Sequence, residues 1–120
     1  MTTLREQIKQ VIDDEPVAIF MKGTPEQPAC GNSLRALQAL WNAGAPITAV
    51  NVLPDPQIRQ ELSSLSDWPT IPQVFVKGEL IGGADITEEL HASGDLARKL
   101  DEALGSDREQ VVKTVAVAAE

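Results

Sequence analysis

Two short apolar runs separated by one helical segment constrain the fold of this chain most. The run VAIFMK, residues 17–22, has the length of a strand and is bounded by proline and glycine, which favours a strand buried on both faces. The second run, ITAVNV at residues 47–52, is rich in β-branched residues. Between the two runs, leucines recur at helical spacing. Together the three segments predict a right-handed βαβ unit with parallel strands.

Patterns on either side of this unit predict the remaining elements. Leu4, Ile8 and Ile12 have helical spacing, and this helix ends before Pro16. A third helix follows the second strand, with Pro56 at its first helical position. The segment PQVFVKGELIGG, residues 72–83, predicts a hairpin that turns at lysine and glycine. Residues 84–104 predict one last helix, capped by Asp85 with Glu88 completing a capping box.

These elements predict an α/β protein with a thioredoxin-like fold, in which a central four-stranded mixed sheet carries helices on both faces. Residues 1–104 form the domain. Residues 105–120 form a C-terminal tail for which helix and disorder both stay open, because its valines weaken a helical pattern. Trp41 is expected to lie in the core.

Charge and hydropathy narrow the functional classes. Ten Lys and Arg against eighteen Asp and Glu give a net charge of −8, which argues against nucleic acid as a partner. No apolar run approaches the roughly 18 residues that cross a bilayer, so a membrane role is not expected. The polar, acidic N-terminal stretch differs from a secretory signal, and the chain is predicted to be cytoplasmic.

Cys30 is the single cysteine of the chain, which excludes an internal disulfide and a self-contained zinc or cluster site. It lies where the first strand turns into the second helix, so unpaired helix N–H groups and the nearby Lys22 favour its thiolate. The alternative is a small buried apolar residue without chemistry. Ser33 stands three residues on, where a dithiol motif has its second sulfur. A thiol of this kind forms a mixed disulfide with a small thiol, or serves as one ligand of a metal centre.

Three separated motifs resemble the monothiol glutaredoxins. Members of that family typically carry MKGTPxxPxCGFS, WPTxPQ and GGxD in this order, and this chain has MKGTPEQPACGNS, WPTIPQ and GGAD. The resemblance covers roughly residues 4–104. It implies a thioredoxin fold in which a cis Pro72 lies beside Cys30, so that the backbone of Ile71 is offered to an extended peptide.

In that family the peptide is glutathione. The resemblance implies Lys22 and Arg59 for its glycine carboxylate, and Gly83, Ala84 and Asp85 for its γ-glutamyl end. Two cations and one acid suit a tripeptide with two carboxylates and one ammonium. The alternatives are that Lys22 and Arg59 are solvated surface charges and that Asp85 is only a helix cap.

The resemblance also implies a [2Fe–2S] cluster. Such a cluster usually takes four ligands, and one chain supplies one, Cys30. The family arrangement is a homodimer in which two cysteines and two glutathione thiols bridge the cluster, with BolA-like proteins and iron–sulfur recipient proteins as partners. Two other functions stay open: a glutathione-dependent oxidoreductase with Cys30 as nucleophile, and an adaptor that only binds proteins.

The chain departs from the family pattern at two positions. Asn32 stands where the family has phenylalanine, and its amide either competes for hydrogen bonds beside the thiol or is a harmless exposed residue. Ala84 stands where many members have a second cysteine, so glutathione or another protein has to resolve Cys30. Trp68 is assigned to the rim of the glutathione groove, and His91 to a helix surface rather than to a ligand set.

Overall fold

The computed structural model describes residues 2–119 and alternates helices with strands over most of their length. In chain order the elements are α1 (Leu4–Asp14), β1 (Val17–Met21), α2 (Gly31–Asn42), β2 (Ile47–Asn51), α3 (Pro56–Ser66), β3 (Gln73–Val76), β4 (Glu79–Gly82), α4 (Ala84–Ser93), α5 (Asp95–Leu104) and β5 (Val112–Thr114).

The strands form one mixed sheet in the order β4-β3-β1-β2-β5. β1 pairs parallel with β2 and antiparallel with β3, and β3 pairs antiparallel with β4. The βαβ unit and the hairpin are therefore confirmed. The predicted four-stranded sheet is wrong by one strand, because β5 adds to the outer edge of β2 in parallel.

Each face of the sheet carries its own core, which follows from the alternation of side chains along buried strands. Val17, Ile19 and Met21 of β1 pack on one face with α2 and α5. Ala18 and Phe20 pack on the other face with α1 and α3. All five residues of β1 are buried, as predicted for a central strand.

Local signals explain where several elements begin and turn. Thr3 caps α1 in a capping box with Glu6 that sequence analysis had not identified. The side chain of Asp55 caps α3, and Pro56 occupies the first helical position as predicted. Lys77 and Gly78 have φ values of 50° and 81°, the left-handed pair that a two-residue hairpin turn requires.

The last predicted helix is in fact two. Gly94 has a φ of 84° and ends α4 in the left-handed conformation, so α5 begins a new axis at Asp95. Asp85 is not the N-cap of α4, because that position belongs to Gly83, which makes no side-chain cap. The apolar periodicity continues through residues 84–104, and it did not reveal the break.

The C-terminal tail is neither a helix nor a free end in the described residues. Ile47 of β2 donates its N–H to Val111 at 2.7 Å, and Val115 donates to Ala49 at 2.9 Å. Val117 is buried in the core on the α1 side of the sheet. Valines that weaken a helix suit a strand, which is why the segment adds to the sheet.

One core assignment fails as well. The predicted core residue Trp41 is 48% exposed on the outer face of α2. Leu37 and Leu40, which are three positions apart and share the inner face of α2, fill the core instead. Among residues 2–119, no helix is long and apolar enough to cross a membrane.

Candidate functional site

Cys30 is the N-cap residue of α2, with an extended backbone and a partly buried side chain. The backbone N–H of Ser33 is the main cause that lowers the pKa of the Cys30 thiol below its ordinary value. Burial opposes this shift, while the N–H of Asn32, the charge of Lys22 and the Ser33 hydroxyl reinforce it. The thiol is therefore accessible and more readily ionised than a free cysteine, as the sequence predicted.

Ser33 occupies the position at which a dithiol motif has its second cysteine, and its role here is structural. Its side chain is completely buried, and its hydroxyl oxygen accepts a hydrogen bond from the N–H of Lys22 at 3.1 Å. This bond joins the residue after β1 to the first turn of α2. The spacing of Cys30 from the end of the strand is thereby fixed.

The loop between β1 and α2 is held by its own backbone and by Asn51. Gly23 donates its N–H to the Asn51 side chain at 3.0 Å, and Ala29 donates to Lys22 at 2.9 Å. Gly23 has a φ of 91°, and a Cβ there would lie 2.4 Å from the carbonyl oxygen of Gln27. Only glycine fits this turn.

A groove of about 420 Å³ opens beside the N-terminal turn of α2. Three segments form it: the start of α2, the loop before β3, and the start of α4. The peptide bond between Ile71 and Pro72 in its wall is cis, as the resemblance implied. The lining residues are Asn32, Arg35, Trp68, Thr70, Ile71, Pro72, Gly83, Ala84, Asp85 and Ile86.

Gln73 fixes the loop that forms one wall of this groove. Its buried amide nitrogen donates to the carbonyl oxygens of Trp68 at 2.9 Å and Thr70 at 3.2 Å. The Trp68 ring lies against Gly83, where an added Cβ would be 3.7 Å from the indole nitrogen. This contact brings the loop before β3 to the start of α4.

Arg35 joins α2 to α4 at the groove, and sequence analysis did not identify it. Its Nε donates to Glu88 at 3.0 Å, its Nη2 donates to Asp85 at 2.7 Å and also to Glu88, and its Nη1 donates to Asn32 at 2.9 Å. Glu88 first and Asp85 second raise the pKa of Arg35 further above its ordinary value. Arg35 in turn lowers the pKa of the Glu88 carboxyl. No sequence signal pairs residues 50 or more positions apart in this way.

The structure brings most of the predicted site residues to one place. Ile71, Pro72, Gly83, Ala84 and Asp85 line the groove, and Trp68 lies at its wall. Lys22 immediately follows β1, and its positive charge lowers the pKa of the Cys30 thiol.

Cys30, Lys22 and Arg59 are predicted site residues that do not line the groove, and neither does His91, which the sequence assigned to a helix surface. Arg59 is exposed on α3 and donates to the carbonyl oxygen of Pro69 at 3.2 Å, so it contacts the loop that precedes β3. His91 is partly buried in the last turn of α4.

Comparison with known proteins identifies the family. The glutaredoxin family profile matches residues 17–81. Glutaredoxin 4 of Haemophilus influenzae is 46% identical over 102 residues, which cover 85% of this chain and 94% of that protein. Monothiol glutaredoxin-S15 of Arabidopsis thaliana is 41% identical over 104 residues. The chain belongs to the monothiol glutaredoxin family.

Solved glutaredoxin structures agree with the fold. The solution structure of reduced poplar apo GrxS14 is 40% identical, with a TM-score of 0.74 over 84% of this chain and 93% of that one. A buckwheat glutaredoxin–glutathione complex is 25% identical, with a TM-score of 0.73 over 83% and 89% of the two chains. This glutaredoxin spans 62% of the Arabidopsis relative and 20% of a longer rice monothiol glutaredoxin.

Proposed function

We propose that this glutaredoxin binds glutathione in the groove beside Cys30 and, as a homodimer, holds a bridging [2Fe–2S] cluster as cargo for storage or transfer. The observation that supports it most is the position of the thiol. Cys30 is the only cysteine, it is the N-cap residue of α2, and it precedes the groove-lining residue Asn32 by two positions. A ligand in the groove would therefore lie next to the sulfur.

Glutathione suits the residues around this groove. The backbone of Ile71 before the cis proline is the edge against which an extended tripeptide would lie. The start of α4 at Gly83, Ala84 and Asp85 offers N–H groups for a carboxylate and a side-chain carboxylate for an ammonium. Lys22 and Arg59 are the proposed partners of the glycine carboxylate. The buckwheat relative, solved with glutathione, supports the ligand class.

The ligand count supports a shared cluster rather than one held by a single chain. In the described residues, no group of three or more His, Cys, Asp or Glu side chains is placed to hold a metal ion. One thiolate per chain makes two in a dimer, and two glutathione thiols complete the usual set of four. The donor chemistry of Cys30, an accessible thiol with a lowered pKa, fits an iron ligand.

Anaerobic reconstitution with iron, sulfide and glutathione tests the cluster proposal. We expect visible absorption, a mass of two chains, and two irons per dimer. The matched controls are Cys30→Ser, which removes the ligand, and omission of glutathione, which removes the other two thiols. If the wild-type chain stays a colourless monomer in the complete mixture of iron, sulfide and glutathione, the proposal is contradicted.

Asn32→Phe restores the residue of the family pattern. This variant tests whether the asparagine itself, rather than the rest of the chain, affects how long the cluster is held. If Asn32 weakens cluster binding by leaving the sulfur open to water, the phenylalanine variant holds its cluster longer in air. Equal decay of the two absorption spectra means that Asn32 is neutral for cluster lifetime.

A second function is favoured by the lowered pKa of Cys30: glutathione-dependent thiol–disulfide exchange. The Cys30 thiolate would attack the glutathione sulfur of a mixed disulfide, so that a Cys30–glutathione disulfide forms and the substrate thiol leaves with a proton from water. A second glutathione thiolate would then attack that disulfide, releasing glutathione disulfide and the Cys30 thiolate. Ser33 cannot take the role of the second thiol, because its buried side chain carries a hydroxyl.

Turnover of a glutathionylated peptide with glutathione and glutathione reductase tests this second function. We expect activity that Cys30→Ser abolishes. If calorimetry shows glutathione binding while turnover is absent, the carrier role alone remains. If glutathione does not bind at all, both functions fail, and an adaptor that only binds proteins is the alternative that is left. BolA-like partners, iron–sulfur recipients and a cytoplasmic location stay predictions of the sequence.

A further inference from the structure

Asn32 and Arg35 form one side of the groove, and the proposed function gives neither of them a contact with glutathione. Both lie on the first turns of α2, and both line the groove. Arg35 is held on three sides, by Asn32, Asp85 and Glu88, so its guanidinium has a fixed position at the groove. A fixed planar cation is suited to recognising a carboxylate.

Hydrogen-bond donors remain on this pair. Nη1 of Arg35 carries two hydrogens and donates one to the Asn32 oxygen at 2.9 Å; within residues 2–119 it has no second acceptor. Because the Asn32 oxygen accepts from Arg35, its amide nitrogen is a donor too, and that nitrogen has no hydrogen-bond partner within the same residues. One charged donor and one neutral donor therefore lie side by side.

Asp85 supplies the opposite charge at the same place. One of its carboxylate oxygens, Oδ1, accepts from Arg35 at 2.7 Å, and its side chain is 82% exposed. The other oxygen, Oδ2, has no hydrogen-bond partner among the described residues. A carboxylate that accepts hydrogen bonds, placed beside two N–H donors, is the complement of a ligand carbon atom that carries both an ammonium and a carboxylate.

We propose that Arg35, held by Asn32 and Glu88, is a specificity-determining residue that reads the α-carboxylate of the γ-glutamyl end of glutathione. Nη1 of Arg35 and the Asn32 amide donate to one oxygen of that carboxylate. Asp85 receives the ammonium on the same carbon through Oδ2. The N–H groups at the start of α4 stay available to the other carboxylate oxygen. The proposal rests on glutathione being the ligand of the groove.

Two ligands that differ only in the α-carboxylate test it. S-methylglutathione cannot exchange with Cys30, and an otherwise identical S-methyl peptide with 4-aminobutanoyl in place of γ-glutamyl lacks the carboxylate but keeps the ammonium. Calorimetry gives the ratio of the two dissociation constants for each variant. We expect the wild-type chain to prefer S-methylglutathione by at least about tenfold, and R35Q to lose about tenfold of that preference.

The ratio separates recognition from a structural role. Loss of packing or of the Asp85 contact weakens both ligands together and leaves the ratio unchanged, whereas loss of a carboxylate contact lowers the ratio. Asn32→Ala should lower it by a smaller factor, because one donor and one support of Arg35 are removed. Arg98→Gln is the matched control, since Arg98 pairs with Asp95 on α5 away from the groove and the ratio should not change.

Two outcomes overturn the inference, and they are distinct. If wild type binds S-methylglutathione and R35Q keeps the wild-type ratio, Arg35 does not read the carboxylate, while the proposed function stands. If wild type binds neither ligand, glutathione is not the ligand of the groove, and the proposed function fails together with the inference.

Discussion

Backbone groups and a side-chain charge both lower the pKa of the Cys30 thiol, and only the side-chain charge can be removed by a substitution. The N–H groups of Ser33 and Asn32 belong to the backbone of α2, so they persist through any side-chain substitution that keeps the helix. Lys22 acts through its side chain and follows β1 directly. The backbone contribution is therefore a property of the fold, and the lysine contribution is a property of one residue.

Lys22→Gln should raise the pKa of the Cys30 thiol. The lysine charge favours the thiolate, so its loss leaves less thiolate at neutral pH, and alkylation by iodoacetamide at pH 7 should slow. The midpoint of the rate against pH should move to higher pH, while the plateau at high pH stays the same. Lys113→Gln removes an equal charge on β5 and serves as the control. An unmoved midpoint in Lys22→Gln contradicts the role of the lysine.

Ser33→Ala should lower the free energy of unfolding by about 1–3 kcal/mol, since it leaves the part-buried N–H of Lys22 without its acceptor at the site of a completely buried side chain. Urea denaturation followed by circular dichroism measures this. Ser106→Ala, an exposed serine in the tail, should stay within about 0.5 kcal/mol of wild type. Equal stability of the two variants would mean that Ser33 only fills space.

At the scale of the elements, the break between α4 and α5 depends on the left-handed backbone conformation of one residue, Gly94, and not on side-chain packing around it. Gly94 has a φ of 84°, and no heavy atom lies within 4 Å of an added Cβ. A substitution there is strained but not crowded. The cost of a side chain thus comes from the left-handed backbone alone.

Gly94→Ala should lower the free energy of unfolding by about 1 kcal/mol, and Gly94→Asn by less, because asparagine tolerates the left-handed conformation better than alanine. Chemical denaturation of both variants measures the order. Gly31→Ala is the control: Gly31 also has open space around its Cβ, but it begins a helix with an ordinary φ, so no loss is expected. A Gly94→Ala variant as stable as wild type contradicts the strain.

Sequence analysis predicted those elements whose pattern is local. The period of the apolar residues gave α1, α2 and α3, and the continuous apolar run gave β1 with its burial. The break at Gly94 was missed, because a glycine within a continuing apolar period does not reveal its φ. Arg35 was missed for a different reason: its partners come from α4, and only the folded chain brings them to it.

In the whole molecule, the tail returns to the first helix. The side chain of Gln7 donates to the carbonyl oxygen of Ala118 at 2.9 Å and accepts from its N–H at 3.0 Å, although 111 positions separate the two residues. Val117 is buried beside this pair in the core on the α1 side. The sequence alone left the tail open between helix and disorder, since a three-residue strand has too short a pattern to identify.

Val117→Ala should lower the free energy of unfolding by about 1–2 kcal/mol, because two buried methyl groups are lost. The Val115 amide, which bonds Ala49, should exchange with deuterium faster. Val112→Ala is the control, because Val112 is 41% exposed and its truncation should cost under about 0.5 kcal/mol. If both variants match wild type, the tail contributes nothing to the core.

The two outer strands affect how copies of this protein can meet. β5 is three residues long with Lys113 at its centre, and the register between β3 and β4 shifts beside Val74. A short edge strand with a central lysine on one side of the sheet, and a register shift next to the edge strand on the other side, both disfavour edge-to-edge pairing with a sheet of another copy. Neither edge of the sheet therefore offers a long, regular strand to which another copy could add a strand of its own.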